Sequence, residues 1–290
     1  MGAALWGRRR LARLPGAGRR GVAVREILCA IELGEGDERA FAHALRLATA
    51  LRGSLRLVHV EPTRRGRPDW SSYPHVRETL RAWGIEGAAQ LEVHKAELQE
   101  TDPLSGLLRQ ISAHEVDLVV VATHGREGVA RWLQGSVCEE LLRAVAVPVL
   151  ALPPESGFVD PASGALVIER VLAPVCDPPG AQRALELLEE LVEAVELPDA
   201  DLRLLHVEGV EGRQPRIRAG RAGRLTREWL VLPAGPAPEA AILAEVERWR
   251  PDLVVMTTQG PQGLWERLQG SATEKILRGG HAPLLAVPAR

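Results

Sequence analysis

Two glycine-bracketed loops hold the residues of this chain whose types and spacing suit chemistry. In the first, Ala122-Thr123-His124-Gly125 is followed by nine residues and then Gly135-Ser136. In the second, Thr257-Thr258-Gln259-Gly260 is followed by nine residues and then Gly270-Ser271. Glycine at 125, 128 and 135 permits positive φ and lets backbone approach a ligand closely. A helix opening at Gly135-Ser136 offers unpaired N–H groups and the positive end of its dipole, which together hold a phosphate. Ser136 is able to cap that helix and present a hydroxyl, while Arg126 and Arg131 supply charge. The plainer reading is a tight turn followed by an N-cap, and one loop alone does not separate the two. The second copy shows that a unit was duplicated; it is not independent support for a ligand.

Other reactive residue types are weaker candidates. His59 and His206 end matching apolar runs, with no second His or Cys at ligand spacing, so a packing role is expected rather than a metal site. The three cysteines, Cys29, Cys138 and Cys176, are scattered without a CxxC and read as reduced, small hydrophobic residues. Cys138 falls in the first turn after Ser136, where a helix dipole lowers a thiol pKa; redox sensing is the minor reading and buried filler the major one. Trp132 and Trp265 are expected to pack the loops. No nucleophile–base pair or paired carboxylates accompany the loop, so binding is expected rather than turnover.

The elements that must position these loops alternate in type. Apolar runs at 27–31, 55–60, 117–123 and 147–152 read as strands, with a third strand over 91–98. Helices are expected over 38–51, capped by Asp37 and ended by Gly53, around 76–89 but broken by Gly84 and Gly87, from Asp102-Pro103, and from Ser136. After a linker-like stretch, 154–168, the order returns: strands over 170–175, 202–207, 229–232, 252–258 and 282–287, and helices over 181–195, 238–248 and 271–278. Alternation of this kind implies parallel strands with right-handed crossovers, and a period of about 135 residues implies a tandem domain. The expected organisation is an Arg-rich tail (1–25), a first domain (26–153), the linker, and a second domain (169–290). The short last strand of each half is a natural edge to cover, so the two are expected to pair within the chain about a pseudo-two-fold. Further homodimerisation is left open.

Bulk properties limit the function classes. The 290 residues suit two domains, and 46% apolar content suits a globular chain. Residues 1–25 hold seven arginines and no acid, so a net charge of −2 leaves −9 on the remainder. An acidic body argues against nucleic acid, and no apolar run is long enough to span a membrane. The tail reads as unstructured or as a misplaced start, with an organelle transit peptide as the other reading. Six arginines between 213 and 227 read as a solvated loop rather than an anion-binding strip. The expected location is cytoplasmic.

The strand–Gly–nine–Gly-Ser–helix–Pro-strand order, the His-Val strand endings and the Asp-Leu-Val-Val lead-ins resemble the universal stress protein family in its tandem form, over about 25–152 and 168–288. That resemblance implies two Rossmann-like domains of the adenine nucleotide alpha hydrolase type, each a mostly parallel five-stranded sheet flanked by helices. It further implies a regulatory stress-response module that binds adenine nucleotide, ATP with or without Mg2+. In the first half it places Gly125, Arg126, Gly128, Gly135, Ser136 and Val137 at the phosphates, with Ile31, Glu32, Val60 and Val121 around base and ribose. Ala122 stands where the family usually has Gly, and Glu32 where it has Asp. The second half keeps Gly260, Gly270 and Ser271, but Thr257 replaces a glycine, Pro261 removes an N–H, and Cys176 takes the strand-one Asp position. The first half is therefore expected to be the better site. Slow ATP hydrolysis stays open. The alternatives are an interaction protein with degenerate pockets or an ATP-using enzyme of related architecture, whose Ser-Gly-Gly or His-Ile-Gly-His motifs are absent.

Overall fold

The computed structural model describes residues 24–33, 37–61, 75–85, 91–123, 137–153, 156–175, 178–208, 216–218, 224–233, 238–258, 276 and 282–289. The first half runs β1 (Glu26–Ile31), α1 (Glu38–Leu51), β2 (Ser54–Glu61), α2 (Val76–Ala82), β3 (Glu92–Gln99), α3 (Pro103–Ala113), β4 (Leu118–Ala122), α4 (Val137–Ala144) and β5 (Val149–Leu152). The second runs β6 (Arg170–Pro174), α5 (Pro178–Ala194), β7 (Ala200–Val207), β8 (Leu225–Leu232), α6 (Pro238–Trp249), β9 (Leu253–Thr258) and β10 (Leu284–Pro288). The expected helix over 271–278 lies outside the described residues except for Ile276.

The ten strands among the described residues form one sheet in the order β3-β2-β1-β4-β5-β10-β9-β6-β7-β8. Each half contributes five parallel strands, and the halves meet where β5 and β10 pair antiparallel, with Leu285 opposite Leu150. The two edges are therefore the third strands of the two halves. Helices cover both faces and bury them across the seam. One apolar core lies under α1 and α5, the other under α3, α4 and α6.

Local chemistry explains several elements. Asp102 accepts from the N–H groups of Leu104 and Ser105, and Pro103 costs nothing at the first helical position, so α3 starts as the sequence predicts. Asp117 Oδ2 accepts from Arg25 and Glu26 N–H at 2.8 and 2.9 Å, and Asp252 Oδ2 from Glu169 and Arg170 at the same two distances. These ties register the start of β1 on β4 and of β6 on β9. Val24, assigned above to the tail, is buried, and its N–H reaches Glu190 Oε1 at 3.2 Å, so the fold begins by residue 24.

Three expectations need correction. Asp37 makes no side-chain cap on α1; its Oδ2 turns back to accept from Glu32 N–H at 2.8 Å. Gly53 does not supply the left-handed residue after α1. Arg52 does, at φ 53°, and Gly53 is needed because a Cβ would sit 2.4 Å from Arg25 O. Finally, α2 stops at Ala82, where Gly84 at φ +67° ends the turn.

The stretch read as a linker is folded in its described part, 156–168. Phe158, Val159 and Ile168 are buried, and Val159 bridges Leu166. His43 of α1 fastens it. Its Nδ1 donates to Arg39 O at 2.7 Å, which leaves Nε2 to accept from Phe158 and Val159 N–H at 2.9 and 3.1 Å. The ring meets Phe158 edge-on, with centroids 4.5 Å apart. Trp83, after α2, donates its indole N–H to Pro161 O at 2.9 Å, and Gly164, at φ +68°, packs against the ring so closely that a Cβ would come within 2.4 Å of it. We call this segment the clasp.

Candidate functional site

An open parallel sheet offers a ligand crevice at the strand carboxyl ends, where successive connections leave in opposite directions. In the first half that point lies between β1 and β4, because β1 leads outward to β2 and β3 while β4 leads inward to β5. The register between β1 and β4 ends at Cys29 opposite Val120. Ile31 and Val121, both sequence-predicted, lie just beyond that point, and both are buried. Glu32 follows Ile31 and is exposed. Val60 is half-buried near the end of the neighbouring β2, and half-buried Val137 opens α4.

The structure thus brings five predicted residues to the carboxyl-end side of one half-sheet: Ile31, Glu32, Val60, Val121 and Val137. Gly125, Arg126, Gly128, Gly135 and Ser136 of the first loop lie outside the described residues. So do Gly260, Gly270 and Ser271 of the second, together with Cys176 and Pro261. Thr123, the last described residue before the first loop, is buried and held by its N–H to Leu152 O at 2.8 Å.

Two polar features frame the crevice. Asp37, buried, bonds Glu32 N–H and so fixes the chain as it leaves β1. The sequence reading missed this role because an Asp directly before a helix looks like its cap. His59 Nδ1 donates to Ile31 O at 3.0 Å, and His206 Nδ1 donates to Val175 O at 3.0 Å. Both histidines thus pin the end of a first strand, as packing residues. Their other nitrogens differ. His59 Nε2 lies 3.4 Å from Glu61 Oε2, whereas the buried His206 Nε2 has no partner among the described residues.

The two described thiols, Cys29 and Cys138, are not reactive groups here. Burial, with the Glu139 charge beside it, pushes the Cys138 thiol up to about 12, which outweighs any lowering by the α4 dipole. Burial and then Asp37 likewise raise Cys29. Among the described residues no group of three His, Cys, Asp or Glu is placed to hold a metal ion. No described helix is long and apolar enough to cross a membrane. Of the arginines in the 213–227 strip, Arg224 donates to Leu197 O at 2.7 Å and Arg227 pairs with Glu189. Both are committed to structure, whereas Arg216 and Arg218 are exposed.

The model of the Universal stress protein family matches residues 23–153 and 233–288. The second match covers α6, β9 and β10 but none of β6 to β8. Among solved structures, a universal stress protein from Archaeoglobus fulgidus DSM 4304 is similar with a TM-score of 0.59 at 18% identity, over 92% of this chain and 99% of that one. A functionally unknown protein from Pseudomonas aeruginosa PAO1 gives a TM-score of 0.64 at 16% identity, over 92% and 93%. At such identities the likeness speaks for the fold. No curated protein matches the chain.

Proposed function

The chain belongs to the universal stress protein family, and from that premise we propose that it is an adenine-nucleotide-binding regulatory module whose better site is in the first half. The observation that carries this reading is the convergence at the β1/β4 switch point. Residues chosen from the sequence as base and ribose contacts, Ile31 and Val121, are buried just past the last β1–β4 register pair. The phosphate cradle would be completed by Gly125, Gly128, Gly135 and Ser136, with Arg126 for charge, leading into α4. ATP is the proposed ligand, with Mg2+ bound through the phosphates. With no nucleophile–base pair read at the site, the proposed action is binding, and the module would signal through the bound state.

Titration calorimetry of the full chain with ATP tests the reading. Saturable binding is expected, and the double variant Gly135→Val with Ser136→Ala should abolish it. Absence of heat at high protein concentration rejects the proposal. Unchanged binding in the double variant moves the site elsewhere. The second half, with Pro261 in its loop and Thr257 at the end of β9 before it, is expected to bind weakly or not at all, giving a stoichiometry near one per chain.

A further inference from the structure

A second cleft, of about 290 Å³, opens where α1, α2 and the clasp meet. It shares no residue with the proposed nucleotide site. Its volume is at the small end of the range for small-molecule sites. Phe41 forms a buried part of its wall, and Trp83 and Pro161 line it from the clasp side. Glu38 enters from the first turn of α1, and Glu78 with His75 from the start of α2. Positions 38, 41 and 42 of α1, and 75, 78, 79 and 82 at α2, lie on single helical stripes that face the cleft.

The charge of the lining is one-sided. Glu38 and Glu78 are exposed, and neither has an ion-pair partner among the described residues. Elsewhere in this half Glu26 pairs with Arg56 at 2.7 Å and Glu100 with Arg109, while Glu97, Glu115 and Glu140, like Glu38 and Glu78, have no ion pair among the described residues but do not line this cleft. His75 is the one basic side chain among the described lining residues. The indole is pre-set, since its N–H is occupied by Pro161 O and Gly164 packs against the ring. A fixed aromatic ring lining the same cleft as carboxylates that have no ion pair among the described residues is the arrangement that takes a cation with an apolar body.

We propose that this cleft binds a small organic cation, an amine or guanidinium on a compact apolar body, held by Glu38 and Glu78 against Trp83 and Phe41. The two carboxylates repel an anionic ligand of the same shape and offer a neutral one no charge to pair with. The site is not part of the duplicated unit. The clasp occurs once, and the α5 residues that follow β6 at the spacing of Glu38 and Phe41 after β1 are Gln182 and Leu185.

Benzylammonium, benzyl alcohol and benzoate, titrated separately into the full chain and followed by ligand-observed NMR, test the proposal. Saturable binding of benzylammonium alone is expected, with affinity falling about tenfold in the E38Q/E78Q double variant. Both side chains are exposed, so the variant should unfold at the wild-type temperature, and its ATP titration should match wild type whether or not ATP binds. Failure of benzylammonium to saturate overturns the proposal. So does equal binding of benzyl alcohol, or wild-type affinity in the folded double variant.

Discussion

His43 shows how one side chain sets a pH response. It is fully buried, and its Nε2 serves as the acceptor for two clasp N–H groups, a role that protonation destroys. Burial, the largest cause, lowers its pKa from 6.5 to about 4. A depressed folded-state pKa means that the unfolded chain binds the proton first. The contribution of His43 is therefore complete above pH 6.5 and is lost as pH falls towards 4. A shift of this size is worth about 3 kcal/mol, at about 1.4 kcal/mol per unit. Urea unfolding at pH 7 and pH 4.5 should show that loss in wild type and a smaller one in His43→Gln. Equal losses in the two proteins would remove His43 as the cause. The Cys138 thiol gives a second residue-scale prediction. Pushed up to about 12 and buried, it should resist thiol reagents at pH 8 until the chain is unfolded.

At the scale of elements, the two halves supply matched experiments on strand starts. Asp117 and Asp252 each tie two backbone N–H groups across a strand pair. Replacement by Ala should cost about 1–3 kcal/mol at either position, as measured by urea midpoints, because each leaves donors without their acceptor. A large loss at one and none at the other would show that the mirrored geometry hides unequal roles. Gly164→Ala should cost more than a typical loop substitution, since it combines φ +68° with a clash against Trp83. Most elements were legible in the sequence because their causes are local: Asp102-Pro103 starts α3, and an apolar run of five residues makes β4. What could not be read depended on how the chain turns and on partners that only the fold brings together. Asp37 became a strand-end brace through Glu32, Gly53 answers to Arg25 O, and the clasp is ordered by His43 and Trp83, far away in sequence. In the candidate site the same division holds. The rim residues Ile31 and Val121 follow from strand ends that periodicity gives, whereas Asp37 depends on how the chain turns after β1.

For the whole molecule, the continuous sheet matters more than the duplication. Two separate domains would each close their own core, but here the core under α1 runs on under α5, and β5 completes its pairing on β10. The chain should therefore unfold in one transition, with calorimetric and van't Hoff enthalpies equal, rather than in two steps. Two resolved transitions would show that the seam is weaker than either half. The sheet ends are unlike each other. Lys95 and Glu97 of β3 stand opposite Leu57 and His59 of β2, while the corresponding places on β8 hold exposed Trp229 and Val231. At these two places charge guards the β3 edge against stray pairing, whereas β8 carries its charges earlier, at Arg227 and Glu228, and leaves its end apolar.

The clasp also fixes the chemical order of the β5–β10 pairing. Two halves on separate chains would meet by collision, and dilution would part them. Joined through residues 156–168, they meet at an effective concentration set by the tether, in the millimolar range for a short connection and higher when the tether is itself folded. A single proteolytic cut at the exposed Ser163 would turn this first-order association into a second-order one. The dilution at which the cut protein falls into two pieces then measures directly how much of the seam's persistence belongs to β5 and β10, and how much to the clasp.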